Sequence, residues 1–254
     1  MTLPVRALLD TELNDLNQSV LALSSKVDNA IGQAVDALMT NDVPLFYFIF
    51  TGYTEINRLR FQIEEKAYVI LSTQQPLARD LRTVIAAIHF AIELERIGDH
   101  AAGIARIVTR MENMPRPVII EEPADTETNA AVDETSDEIT ETEKPTLRLK
   151  LSRLPKMTKR ARDMLHRATE AYIERDVEKA NAIIKRDRKI DSQYRKFFSE
   201  AMAEMSSQHV AEMPTYLLWI AHNLERIGDR TTNLAERVIF MATGQYTEVL
   251  EDYE

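Results

Sequence analysis

The sequence predicts an all-α protein built as two tandem antiparallel three-helix bundles with six long helices, and three observations carry that prediction. The 254-residue chain holds only six Gly and nine Pro, most of the Pro lying between long segments of helical periodicity. The hexapeptide Leu94-Glu95-Arg96-Ile97-Gly98-Asp99 returns unchanged as Leu224-Glu225-Arg226-Ile227-Gly228-Asp229, 130 positions later. The same offset aligns Ala91 with Ala221, Ala105 with Ala235 and Val108 with Val238 without a gap, so close to half the chain is written twice. Finally, each half breaks into three helical segments, several of them about 30 residues and so about 45 Å long, a length typical of bundles.

The first segment covers residues 10–40, where Leu13, Leu16, Val20, Leu23, Val27, Ile31, Ala34 and Leu38 recur at three- and four-residue steps. Asn41-Asp42 ends it, and Pro44 suits the first turn of the second helix, which runs to about Gln74. Gln75-Pro76 makes the next break, and the third helix covers about Leu77 to Met111. Residues 113–146 combine Pro115, Pro117, Pro123 and Pro145 with Thr and acidic residues and no aromatic side chain. Such a stretch buries too little apolar area to offset its ordering entropy, and it reads as a disordered acidic linker. The plan then repeats at about 154–174, 177–207 and 210–243, stopping at Gly244. The expected units are therefore a bundle over 1–112, a linker over 113–146 and a bundle over 147–254.

Ten acidic residues and no Lys or Arg lie between 121 and 143, so the net charge of −10 belongs to that segment, the rest being balanced at 31 basic against 31 acidic. A nearly neutral folded part argues against direct nucleic-acid binding. The absence of Cys excludes disulfides and thiolate metal sites. No apolar run approaches the roughly 20 residues of a membrane span, and the N-terminus lacks a signal-type apolar core, so a cytoplasmic protein is expected.

On the third helix, Leu94, Ile97, Ala101, Ile104 and Val108 form one apolar seam. A second stripe runs through Leu81, Val84, Ile88 and Ile92 into Glu95, Asp99 and Ala102. Glu95 and Asp99, like Glu225 and Asp229 in the second copy, thus occupy positions that the helix elsewhere fills with aliphatics. Like charges at i and i+4 repel, and Gly98 between them costs about 1 kcal/mol relative to Ala in mid-helix. Costs accepted twice imply a compensating cation or a close backbone approach. Clustered carboxylates from facing helices accept iron, manganese or zinc, whereas a salt-bridge network with Arg96, Arg226, Arg79, Arg82 or Arg230 is the alternative. Matching Asn41-Asp42-Val43 with Arg175-Asp176-Val177 sets Ile56 opposite Ile190 and adds Asp187 and Asp191 to the second site. The corresponding first-half residues are Tyr53 and Asn57, so only the second site has two facing carboxylate pairs; Glu55 is a poor substitute. His222 reads as a wet-edge residue rather than a ligand, and Asp80 as an anion at a helix N-terminus.

Residues 44–50, Pro-Leu-Phe-Tyr-Phe-Ile-Phe, are apolar all round the helix, whereas the matching 178–184 is not. Phe46, Tyr47, Phe48 and Phe50 are therefore candidates either for packing between the bundles or for binding another subunit or a membrane protein's cytoplasmic face.

Gln75 to Arg82, Leu94 to His100, Asp187 to Asp191 and Leu224 to Asp229 together resemble the PhoU family, the phosphate-specific transport accessory and regulatory proteins of bacteria and archaea. The resemblance covers both halves. It implies a pair of three-helix bundles with multinuclear iron or zinc sites at Glu/Asp-x-x-x-Asp motifs. It also implies a non-enzymatic role, coupling a phosphate ABC transporter to a sensor histidine kinase and repressing the phosphate-starvation response, commonly as a homodimer. The chain departs from the family pattern at Tyr53 and Asn57, in its acidic linker, and at Val210-Ala211-Glu212 where Asp-Leu-Arg is usual. Two other classes remain as alternatives: a carboxylate-bridged metalloenzyme, against which the lack of His ligands and of an acid/base pair argues, and a metal-free helical scaffold.

Overall fold

The computed structural model describes residues 5–40, 43–112, 114, 149, 151–208 and 211–245, the side chains of 5, 43–50, 207 and 208 excepted. Six helices account for nearly all of them: α1 (Val5–Thr40), α2 (Val43–Gln74), α3 (Arg79–Arg110), α4 (Arg153–Glu174), α5 (Val177–Gln208) and α6 (Glu212–Thr243). No strand occurs among the described residues, and the all-α expectation holds. The acidic linker at 113–146 lies almost wholly outside them.

Most boundaries fall within two residues of those read from the sequence. The exception is α1, which starts at Val5 rather than near residue 10. Leu9 and Leu13 are buried in the core, and Arg6 reaches Asp80 on α3 at 2.6 Å. Tertiary contacts thus hold a first turn whose local periodicity is weak. Asp80 is consequently tied to a guanidinium from α1 and makes no cap, for no side chain caps the start of α3. The break before α3 is sharp because Pro76 disfavours the α region for its predecessor, and Gln75 and Ala78 both take positive φ, 48° and 45°. At its far end α6 stops on Gly244, at φ 79°, whose N–H bonds Phe240 O at 2.7 Å.

Contacts between helices follow a simple plan. α1 packs on α3, α3 on α6, α6 on α4, and α4 back on α1, closing a ring of four helices. α2 lies outside the ring against α1 and α3, and α5 lies outside it against α4 and α6. The three helices of each half are therefore in mutual contact, but the two triplets share one core. At its centre Phe90 of α3 and Tyr172 of α4 stack with ring centroids 4.3 Å apart, both essentially without solvent exposure. The Tyr172 hydroxyl donates to Asn17 Oδ1 of α1 at 2.8 Å, which satisfies the one polar atom this ring takes inside.

The halves meet antiparallel. Along α3 and α6, Arg82 Nε donates to Met241 O at 3.3 Å, Asn233 Nδ2 to Glu93 Oε2 at 3.3 Å, and His100 Nδ1 lies 3.0 Å from Asn223 Oδ1. Along α1 and α4, Asn17 meets Tyr172, Ser24 meets Thr169 at 2.7 Å, and Asp28 takes both Arg162 Nε and Nη2 at 2.8 Å. The α3–α6 pairs obey the duplication: Glu93 faces Asn233, and Asn223 faces Gly103, which is the same pair of positions exchanged between the repeats. The two halves are thus related by an approximate two-fold axis through the α3–α6 seam.

The side chains of Phe46, Tyr47, Phe48 and Phe50 lie outside the described residues. Among the described residues, α2 packs on α1 and α3. No described helix is long and apolar enough to cross a membrane.

Candidate metal centre

The seam predicted on α3 is buried as expected: Leu94, Ile97, Ala101, Ile104 and Val108 are all at or below 3% exposure. The second stripe is not uniformly buried, since Leu81 is exposed, Ile88, Ile92 and Glu95 are half-buried, and Asp99 is exposed. It faces α2 at the rim of the molecule, where one side remains open to water.

Gly98 and Gly228 owe their place to a close helix crossing. A Cβ on Gly98 would lie 3.1 and 3.2 Å from the Cγ2 and Cδ1 of Ile56, and one on Gly228 would lie 3.1 Å from Ile190 Cδ1. The Ile56–Ile190 correspondence read from the sequence is therefore physical, each isoleucine seating on its own repeat's glycine. The second crossing has a further neighbour: the Gly228 Cβ would stand 2.7 Å from Asp187 Oδ1. Gly98→Ala is expected to change stability by less than about 1 kcal/mol, the helix-propensity gain set against slight crowding of Ile56. Gly228→Ala must instead push the Asp187 carboxylate away. Denaturant unfolding of both variants checks the contrast, since only Gly228→Ala displaces a carboxylate.

Around that second crossing the four predicted carboxylates converge. Asp187 and Asp191 stand one turn apart on α5, and Glu225 and Asp229 one turn apart on α6. Asp187, Asp191 and Asp229 each present a ligating oxygen, all within 4.8 Å of one another, the one such grouping among the described residues. Burial, followed by the Asp191 and Asp229 charges, pushes the Asp187 carboxyl up to about 7. Burial and then Asp229 push Glu225 up to about 7 as well. Two of these oxygens, Asp187 Oδ1 and Glu225 Oε2, are buried and accept no hydrogen bond. The imidazole of His222 lies 3.5 Å from Glu225 Oε2, beyond hydrogen-bonding geometry, and burial with the Arg226 charge keeps it below its ordinary pKa and neutral.

Guanidinium neutralisation, the competing explanation, is present but insufficient. Arg226 Nη1 meets Asp229 Oδ2 at 2.7 Å, while neither Asp187 nor Glu225 has an arginine of its own at the cluster. Arg230 turns away to Glu93 on α3 at 3.6 Å, and Arg96 pairs with Glu93 at 3.1 Å. Sequence reasoning missed Thr232, whose hydroxyl lies 3.2 Å from Asp187 Oδ2; a hydroxyl one turn beyond Asp229 was the available signal.

The first crossing is built differently. Tyr53 donates its hydroxyl to Glu95 Oε1 at 2.9 Å, and burial together with Glu95 raises the phenol's pKa, so it stays a neutral donor. Glu55 is held by Arg58 at 2.6 Å and does not substitute for the missing carboxylate. Glu95 and Asp99 are brought to α2, but to no third carboxylate or imidazole that would complete a cluster among the described residues. The residues at this position do not fit a carboxylate-bound metal; those at the second do.

Comparison with known proteins agrees with this plan of two like halves. A family model described as the PhoU domain matches residues 20–108 and again 154–238. The chain belongs to the PhoU family. Relatives described as phosphate-specific transport system accessory protein PhoU homologs include one from Clostridium acetobutylicum, 27% identical over 246 residues and covering 96% of this chain and 98% of its own. Another, from Rhizobium meliloti, is 30% identical, with 94% and 89% covered. Among solved structures, the phosphate transport system regulatory protein PhoU from Streptococcus pneumoniae superimposes with a TM-score of 0.74 at 28% identity, covering 95% of this chain and all of its own. PhoU from Pseudomonas aeruginosa gives 0.77 at 25% identity, with 93% and 99% covered. The PhoU-like fold thus spans both triplets.

Proposed function

We propose that this protein is a non-enzymatic accessory regulator of a phosphate-specific transport system, acting in the cytoplasm and holding a metal ion between α5 and α6. The observation that carries the metal assignment is the convergence of Asp187, Asp191 and Asp229 beside Glu225, with buried carboxylate oxygens that no donor satisfies. Asp187 and Glu225, half-buried and paired with no arginine, carry charge that a cation offsets without protonation. The converging donors are carboxylate oxygens, with no thiolate, and His222 stands 3.5 Å from Glu225 outside the grouping, a set that suits a harder ion and favours iron over zinc. A bound ion supplies positive charge that ties α5 to α6. Asp187 and Asp191 orient the α5 side, Thr232 and the Gly228 backbone fix where the Asp187 carboxylate stands, and Arg226 balances Asp229.

The regulatory part of the reading rests on the relatives, whose names place them with phosphate-specific transport. Partners are then a phosphate ABC transporter and a sensor histidine kinase, met through the outer helices rather than through the four-helix ring, with repression of the phosphate-starvation response as the output. A homodimer is the expected assembly.

Glu225→Ala/Asp229→Ala is expected to abolish metal uptake, while Glu95→Ala/Asp99→Ala loses little, because the first crossing already satisfies Glu95 with Tyr53. Elemental analysis of the purified variants measures this; unchanged stoichiometry in the first double variant refutes the site. In cells, loss of the gene should derepress a phosphate-starvation reporter under phosphate plenty, and a silent reporter refutes the regulatory assignment independently of the metal.

A further inference from the structure

At the end of the ring where α1 and α3 begin and α4 and α6 end, arginines collect with too few acids. Arg175 is the C-cap of α4 in the left-handed conformation, φ 57° and ψ 38°, a conformation that favours Gly or Asn. Its side chain crosses to the first turn of α3, where Nη2 donates to Thr83 Oγ1 at 2.8 Å. The other terminal nitrogen, Nη1, is buried and has no hydrogen-bond partner. Arg79 and Arg82 stand on the same turn of α3, near enough for their charges to act on Arg175; burial and then those two charges lower its pKa, against Tyr172 and Asp80, which raise it. Arg82 itself lies against the end of α6, its Nε on Met241 O and its Nη1 3.5 Å from where a Gly244 Cβ would be.

The neighbouring acids are already engaged. Asp80 binds Arg6 at 2.6 Å, and Asp176 Oδ1 accepts the backbone N–H groups of Glu178 and Lys179 at the start of α5. The Arg175 guanidinium, bonded to Thr83, therefore comes to the turn of α3 that carries Arg79 and Arg82, where the helix dipole adds positive potential, without an equal number of counter-charges. A strained backbone and a buried unpaired donor are kept in place together, which calls for a ligand that repays both.

We propose that Arg79, Arg82 and Arg175 form a binding site for a tetrahedral oxyanion of the inorganic phosphate class. Guanidiniums offer paired donors that match phosphate oxygens, and three of them arriving from two helices need more acceptor oxygens than a carboxylate has. The site spans the start of α3, the end of α4 and, through Arg82, the end of α6, so its occupant would link both halves of the chain. It is separate from the metal centre. Arg175 precedes Asp187 by twelve residues, which at 1.5 Å per helical residue is about 15 Å or more.

The test uses the full chain and inorganic phosphate, with sulfate as a second probe and chloride at matched ionic strength as the control. Thermal unfolding and calorimetric titration should show saturable stabilisation by phosphate over chloride. Arg175→Gly, which the left-handed backbone accepts, should weaken that response about tenfold or more, as losing a charge-assisted donor implies, with helical content and metal content unchanged. Arg79→Gln should weaken it in the same direction. A parallel response to sulfate assigns the site to tetrahedral dianions generally, and a silent sulfate narrows it to phosphate. No phosphate response beyond chloride in the native chain, or an undiminished one in Arg175→Gly, overturns the proposal.

Discussion

Asp187→Asn is expected to stabilise the metal-free protein at pH 8 while ending its capacity for metal. In the native fold the Asp187 carboxyl is raised from 3.8 to about 7 by burial and then by Asp191 and Asp229. A carboxyl raised in the folded state binds its proton more tightly there than in the unfolded chain. Stability is then greatest below the unfolded value near 4, falls as pH rises, and is fully lost above about 7. Moving one carboxyl over that range corresponds to about 4 kcal/mol, of which solvent at the half-buried cluster and sharing with Glu225 leave about 2–3 kcal/mol for Asp187 alone. An amide of the same shape removes that cost. Chelator-treated native protein should therefore melt lower at pH 8 than at pH 5.5, and the Asp187→Asn variant should show a flatter profile that crosses above it. Added metal should reverse the order, stabilising the native chain alone, by an amount set by its concentration over its dissociation constant. Equal pH profiles for the two metal-free proteins would falsify the electrostatic account of the cluster.

Phe90→Ala carries the largest expected loss of stability, about 3–5 kcal/mol for removing a fully buried aromatic ring. Phe90 lies in the middle of the ring formed by α1, α3, α6 and α4, stacked on Tyr172 at 4.3 Å, and its removal leaves a cavity bounded by both halves. For a chain of this size that loss lowers the melting temperature by about 6–20 °C. Calorimetry should show one transition in the native protein, because the two triplets share a core. In the variant the transition should broaden or split as the halves uncouple. Tyr172→Phe is the milder companion, keeping the ring and losing only the bond to Asn17, at about 1 kcal/mol. A Phe90→Ala protein with the native melting point would show that the shared core contributes little.

Much of the site could be read in advance because its signals are local. Glu225 and Asp229 interrupt a helical stripe, Gly228 between them marks a close crossing, and the break at Arg175-Asp176 registers α5 well enough to add Asp187 and Asp191 and to set Ile190 on the glycine. The same register exposed Tyr53 and Asn57 as poor ligands. It did not show that Tyr53 would donate to Glu95, since that depends on the rotation of α2 about its axis. Asp80 illustrates the limit from the other side: a first-turn acid looks like a helix-dipole partner, and only folding reveals Arg6, 74 positions away, as its partner.

What the chain determines by itself is periodic and repeated. Apolar residues at three- and four-residue steps define six helices, a duplicated hexapeptide makes the halves alike, and unlike residues at Tyr53 and Asp187 make their crossings unequal. The pairing of those halves is decided only in three dimensions. Each triplet leaves an apolar face on its first and third helices, and burying both faces against each other removes more surface from water than two separate bundles would. The resulting four-helix ring, the antiparallel α3–α6 seam with its exchanged Glu93–Asn233 and Gly103–Asn223 contacts, and the arginines gathered at the start of α3 all join residues 74 to 159 positions apart. No local pattern encodes such distances, because they follow from which faces remain to be covered once the helices have formed.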